Sequence, residues 1–218
     1  MKRRSLFIAR IIVISFFLRS LQSCLGQTDT NLLATGDWSE IVRDSDAHAR
    51  YALRGRLLVY DDQPRSAASH ARVYLELQNI FEGGWSLPLE LYFDLGFPVG
   101  RRGDLYFEMR DALDRPLPPQ PVSIRSIWTP EPYHIILPCD STVRLRADMY
   151  NLGSGSKPDG LEILVSDGQW NIPPNATNDF FLSATLVAPK DRPVPLKYPH
   201  VWAGTLKLPK VKIPVRKQ

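Results

Sequence analysis

The chain reads as all-β, an antiparallel sandwich of roughly nine or ten strands that follows an export segment. Three observations lead there. From Arg54 onward, apolar and polar residues alternate in runs of roughly five to eight positions, the period of a strand that buries one face. Each run closes on a cluster of Gly, Pro, Asn or Asp. No run after the N-terminal segment spaces its apolar residues as an amphipathic helix would.

Taken in order, Leu57–Tyr60 opens the series, and Val73, Leu75 and Leu77 then alternate with Arg72, Glu76 and Gln78. Leu89, Leu91 and Phe93 alternate with Glu90 and Asp94, and Leu105, Phe107 and Met109 with Asp104, Glu108 and Arg110. Val143, Leu145, Ala147 and Met149 oppose Arg144, Arg146 and Asp148. A shift of one residue in any of these strands would turn its charges into the core. Further strands are expected at 123–128, 134–137, 161–165, 180–187 and 202–208. Turn chemistry separates them at Asp61-Asp62-Gln63-Pro64, Glu82-Gly83-Gly84, Gly100 to Asp104, Gly153 to Ser156 and Pro173-Pro174-Asn175. The expected organisation is a signal peptide at 1–26, a tether with a docking segment at 27–50, the sandwich at 51–208 and a basic C-terminal tail at 209–218.

The first residues carry Lys2-Arg3-Arg4 and then an apolar run best drawn from Ile11 to Leu18, too short to span a bilayer. Two processing schemes fit. Leu21-Gln22-Ser23-Cys24 matches in part the site where bacterial lipoproteins are cleaved and lipidated on cysteine, which makes Cys24 the candidate lipid-bearing residue. Ordinary signal cleavage after Gly26 is the other, with Cys24 and Gly26 as the small residues at the recognition positions. Either scheme places the protein outside the cytoplasm: periplasmic, anchored to the outer membrane, or extracellular. Only Cys139 then remains, so the mature chain has no internal disulfide and must be held by its core.

Export also changes the meaning of the charge. The whole chain has 27 Lys and Arg against 23 Asp and Glu, but five of the basic residues lie in the signal. Residues 25–180 hold 14 basic and 22 acidic residues, whereas residues 181–218 hold 8 basic and 1 acidic. An acidic body with a basic end argues against nucleic acid as partner. The tail could meet an anionic surface, and a membrane would be reached only through a lipid on Cys24.

Trp38-Ser39-Glu40-Ile41-Val42, Ala52 to Leu57, Val73 to Asn79, Pro88 to Phe93 and Trp202 to Pro209 together resemble immunoglobulin-like modules of exported bacterial proteins, planctomycete ones in particular. The resemblance implies an immunoglobulin-like sandwich and carries no activity. A weaker similarity, through strand pattern alone, is to bacterial proteinase inhibitors built on a single immunoglobulin-like domain.

The search for chemistry yields no catalytic set and no cofactor motif, so the sequence predicts no enzyme. Asp44-Ser45-Asp46-Ala47-His48 has alternating oxygen and nitrogen ligands but lacks the glycine and distal glutamate of a calcium loop. His134 and Cys139 are the nearest Cys and His pair, without a surrounding hydrolase motif. Trp85, Trp128, Tyr133 and Trp170 are expected near loops and form the candidate binding surface, as rings that can stack on sugars or anchor a partner. The leading expectation is an exported, non-catalytic binding or structural domain with a protein or glycan partner. One alternative is a proteinase inhibitor that presents Pro116 to Pro121 or Pro130 to Pro132, and another is a carbohydrate-binding module.

Overall fold

The computed structural model describes residues 31–43, 51–62, 69–81, 88–93, 104–121, 133–148, 160–188 and 201–215. Among them are thirteen strands: β1 (Leu32–Thr35), β2 (Val42–Arg43), β3 (Tyr51–Asp61), β4 (Ser69–Phe81), β5 (Leu89–Phe93), β6 (Leu105–Asp111), β7 (Pro116–Leu117), β8 (Tyr133–Leu137), β9 (Thr142–Arg146), β10 (Leu161–Val165), β11 (Gly168–Ile172), β12 (Phe180–Ala188) and β13 (Gly204–Ile213). The all-β class is thus what the chain adopts, with more strands than the nine or ten expected. The surplus lies in β1, β2 and β7, which have four, two and two residues and are too short to show a period, and in the five-residue β11, which was not expected as a strand. The strand expected at 123–128 lies outside the described residues.

The first sheet has the order β1-β3-β4-β10-β11, with β2 also paired to β3 and β9 to β4. The second is β13-β12-β6-β7, and β5 with β8 forms a small third sheet. Among the described strands one pair departs from the antiparallel expectation: β10 runs parallel to β4 through Leu161↔Ser69, Glu162↔His70 and Ile163↔Ala71. A parallel neighbour needs a long crossover, which β5 to β8 provide by visiting the other sheets before β9 returns to pair with β4. Alternation within a strand reports its buried face and says nothing of its direction.

The alternation becomes two facing layers. Leu53, Leu57, Val59, Val73, Leu75, Leu77, Ile163 and Trp170 of the first sheet share one core with Met109, Leu182, Leu186, Leu206, Leu208 and Ile213 of the second. Leu89, Leu91 and Leu137 of the small sheet join that core together with Trp202. Tyr106, Glu108 and Arg110 alternate outward from buried Leu105, Phe107, Met109 and Asp111, as the sequence pattern requires.

Residues 32–43, within the expected tether and docking segment, run beside β3, through Thr35↔Leu58, Gly36 N–H to Leu57 O at 2.9 Å, Ser39 N–H to Gly55 O at 2.8 Å and Val42↔Leu53. They satisfy the edge of β3 that would otherwise be bare. One boundary needs correction: the C-terminal tail expected from residue 209 is strand as far as Ile213. Pro209 ends the simple alternation because it cannot donate to a ladder, and the sheet absorbs it in a bulge between the Leu182↔Val211 and Ala184↔Leu208 pairs. The extra residue resets the phase, so Leu206 and Leu208 point inward before it and Val211 and Ile213 after it.

The turn from β6 to β7 is built on Asp111, whose Oδ1 accepts the N–H groups of Leu113 and Arg115, both at 2.9 Å, while Oδ2 accepts Arg115 Nε at 2.7 Å. The bond from the Arg115 side chain, with the two N–H donors, holds the Asp111 carboxyl below the usual carboxylate range. A depressed folded pKa means stability present above the ordinary carboxylate pKa, about 4, and lost as pH falls through the folded value. The amide resonances of Leu113 and Arg115 are therefore expected to titrate together below pH ~4, and the thermal midpoint to fall with them. Asp111→Asn should remove that part of the acid sensitivity; an unchanged acid profile in the variant would refute the assignment.

Candidate functional site

Outward positions of the first sheet collect arginine and aromatic side chains. On β3 these are Arg54, Arg56 and Tyr60, with buried Leu58 (2% exposed) between them, and β4 sets Gln78, Glu76, Tyr74 and Arg72 in register opposite the four. β9 continues the rows on the other side of β4 with Thr142, Arg144 and Arg146. The middle row is Arg56, Glu76, Arg144: Arg56 Nε donates to Glu76 Oε2 at 2.5 Å and Arg144 Nη2 to Glu76 Oε1 at 3.2 Å. One buried carboxylate, its side chain 8% exposed, thus sits between two guanidiniums.

Neighbouring groups hold these arginines in place. Arg54 Nε donates to Gln78 Oε1 at 2.8 Å, and Arg144 Nη1 to the Tyr60 hydroxyl at 2.7 Å. Tyr60 in turn meets Tyr74 edge to face at 5.3 Å between centroids. Arg146 forks onto Asp148 through Nε at 3.0 Å and Nη2 at 2.6 Å, both to Oδ2. Trp38 leans over the row from the segment beside β3, its ring centroid 4.7 Å from Arg54 Cζ and 4.5 Å from Arg56 Cζ. Ser39 fixes that segment, since its Oγ accepts Gly55 N–H at 3.0 Å and donates to Glu40 O at 2.8 Å.

The electrostatic consequence is local. Arg54, Arg56, Arg72, Arg144 and Arg146 share this face, where Glu76 pairs with Arg56 and Arg144, and Asp148 with Arg146. The side chains of Arg56, Arg144 and Arg146 are 28%, 40% and 39% exposed. Planar guanidiniums fixed on aromatic rings and acceptors lose little freedom on meeting an anion. The arrangement is suited to binding negative charge.

The same face continues toward β11 with a polar row. His70 pairs with Glu162, and Gln169 Nε2 donates to Glu162 and, at 3.2 Å, to Asn171 Oδ1. Asn171 Nδ2 then donates to Gln120 Oε1 at 3.4 Å.

The aromatic candidates fare differently. Trp85 and Trp128, like Cys24 and the Asp44 to His48 cluster, lie outside the described residues. Tyr133 begins β8, half-buried, with its hydroxyl 3.4 Å from Arg146 O. Trp170 is not a surface ring. It sits 6% exposed in the core, and its Nε1 donates to Leu117 O at 2.8 Å. Gly168, Trp170 and Ile172 form the inward phase of β11 and Gln169 and Asn171 the outward one, an alternation obscured by the flanking Asp167-Gly168 and Pro173-Pro174 turns.

The other candidates meet partners of their own. His134 Nε2 pairs with Glu90, and burial, followed by the charge of Asp140, raises the Cys139 pKa, which works against a thiolate nucleophile. Lys210 and Lys212 of the expected basic tail pair with Asp114 and Asp179. At Pro116 to Pro121, both main-chain groups of Gln120 are bonded to Gln169, at 2.8 and 3.1 Å, which ties that stretch to β11, and Pro130 to Pro132 lie outside the described residues. Among the described residues no group of three or more His, Cys, Asp or Glu is placed to hold a metal ion, and no helix is long and apolar enough to cross a membrane.

Fold and face together define an all-β, sandwich-like domain with a basic, aromatic outer sheet. Comparison with family models, with curated proteins and with solved structures found no match for this chain.

The face was legible in part. Arg54-Gly55-Arg56 and Arg144-Leu145-Arg146 each put two arginines on the polar phase of a strand. That β3 and β9 flank the same strand, with Glu76 between them, is information about pairing and is absent from either motif.

Proposed function

We propose that the chain is an exported, non-catalytic binding domain of immunoglobulin-like type that takes a negatively charged partner on the outer face of its first sheet. The observation that carries this is the gathering of five arginines from three adjacent strands around Glu76 and Trp38. It stands out because residues 25–180 are acidic as a whole. The immunoglobulin-like character is supported by two sheets over one core. Export is supported by the basic and apolar N-terminal run that ends near Cys24.

Binding of the chain from Gln27 onward to immobilised polyanions tests the face. Retention that falls steeply with salt is expected, as counterions screen exposed charge. The double variant Arg54→Gln, Arg56→Gln should weaken it by at least about tenfold, from two lost charge-assisted contacts. Binding to no polyanion, or equal binding by the variant, overturns the proposal. Intact mass of the protein recovered from producing bacteria tests export: a start at Gln27 or at a lipidated Cys24 is expected, and a start at Met1 overturns it.

A further inference from the structure

We infer that the ligand of this face is an acidic polysaccharide lying along β4, an inference that rests on the anionic-partner reading above. The outward row of β4 runs from Gln78, beside Arg54, to His70, beside Glu162. At about 3.3 Å per residue that is ~26 Å. The two ends differ in chemistry. Around Trp38 the groups are guanidiniums, which take carboxylates or sulfates. Around Asn171 they are mainly neutral amides, Gln169 and Gln120, next to the His70 and Glu162 pair, with Arg72 two residues along β4 as the nearest guanidinium of the row.

A row of amides presents donors and acceptors side by side, the pattern that matches neighbouring hydroxyls of a sugar ring. A polymer bearing both acidic groups and hydroxyls therefore has a partner at each end, and an acidic peptide has one only at the arginines. Peptides are generally captured on sheet edges or in grooves, whereas this surface is the flat of a sheet. A lipid surface fits less well, because none of the exposed large apolar side chains among the described residues lies on β3, β4, β9, β10 or β11.

The test compares polygalacturonate, polyglutamate and uncharged dextran at one ionic strength, with the chain from Gln27 onward and two double variants. Asn171→Ala with Gln120→Ala removes two exposed amides, and Arg54→Gln with Arg56→Gln removes charge; a cooperative melting transition well above the assay temperature confirms that both fold. Polygalacturonate should bind at least tenfold more tightly than polyglutamate, dextran far more weakly than either. The amide variant should weaken polygalacturonate about fivefold and leave polyglutamate unchanged, while the arginine variant should weaken both. Equal affinity for the two polyanions, with no effect of the amide variant, overturns the polysaccharide and leaves the anionic face standing. Binding to neither overturns both.

Discussion

Gly160→Ala is expected to cost about 3 to 4 kcal/mol, the largest effect of any single-methyl change proposed for this chain. Gly160 has φ +103°, a region in which a side chain is strained. It also has no room, since a Cβ there would overlap the Ile172 carbonyl oxygen and lie 3.0 Å from the Ile172 carbonyl carbon and 3.1 Å from Pro173 Cα. All are backbone atoms, so relief would require β10 and β11 to move apart. The consequence reaches further, because Gly160 O accepts Ser69 N–H at 3.0 Å and starts the parallel pairing of β10 with β4. Urea unfolding should show the loss as a lower midpoint, and hydrogen exchange should show lost protection at Ser69. A variant with the parent midpoint would mean that the turn before β10 tolerates a different backbone.

Gly55→Val is the second large effect, expected at about 3 kcal/mol, with Gly55→Ala about 1 to 2. The difficulty here is proximity, as this glycine lies in ordinary extended strand. A Cβ at residue 55 would lie 2.8 Å from Leu208 Cδ2, 2.9 Å from Leu77 Cδ2 and 3.1 Å from Leu206 Cδ2. Two of these methyls come from the opposite sheet, so Gly55 sets how closely the layers meet. The tips of leucines can rotate away from one methyl and much less readily from three heavy atoms, which is why the series should be graded. Gly55 also lies between Arg54 and Arg56, and its N–H holds Ser39 beside Trp38. Polyanion binding should therefore weaken in Gly55→Val even where the protein remains folded. A valine variant as stable as the parent would show that the sheets can separate at no cost.

Most strands were legible because their burial is one-sided. Leu105 to Asp111 and Phe180 to Ala188 keep the expected alternation along their whole length. Errors arose where a local signal outweighed the pattern. Pro209 reads as a strand end, yet a bulge carries β13 past it. Two turn clusters around Trp170 read as a loop, yet five residues between them suffice for β11. Lys210 and Lys212 read as part of a basic tail, yet the bulge keeps them on β13, where they pair with Asp114 and Asp179.

What the sequence by itself determined is which side of each strand faces the core: Leu53, Leu57 and Val59 could turn inward only by turning Arg54, Arg56 and Tyr60 outward. Which strands then became neighbours was decided by the tertiary structure alone. Alternation repeats every two residues and is blind to the identity and direction of the next strand, so nothing local placed Arg144 opposite Glu76 or ran β10 parallel to β4. Packing of two sheets over one shared core selected those pairings, and with them turned scattered arginines into a single face.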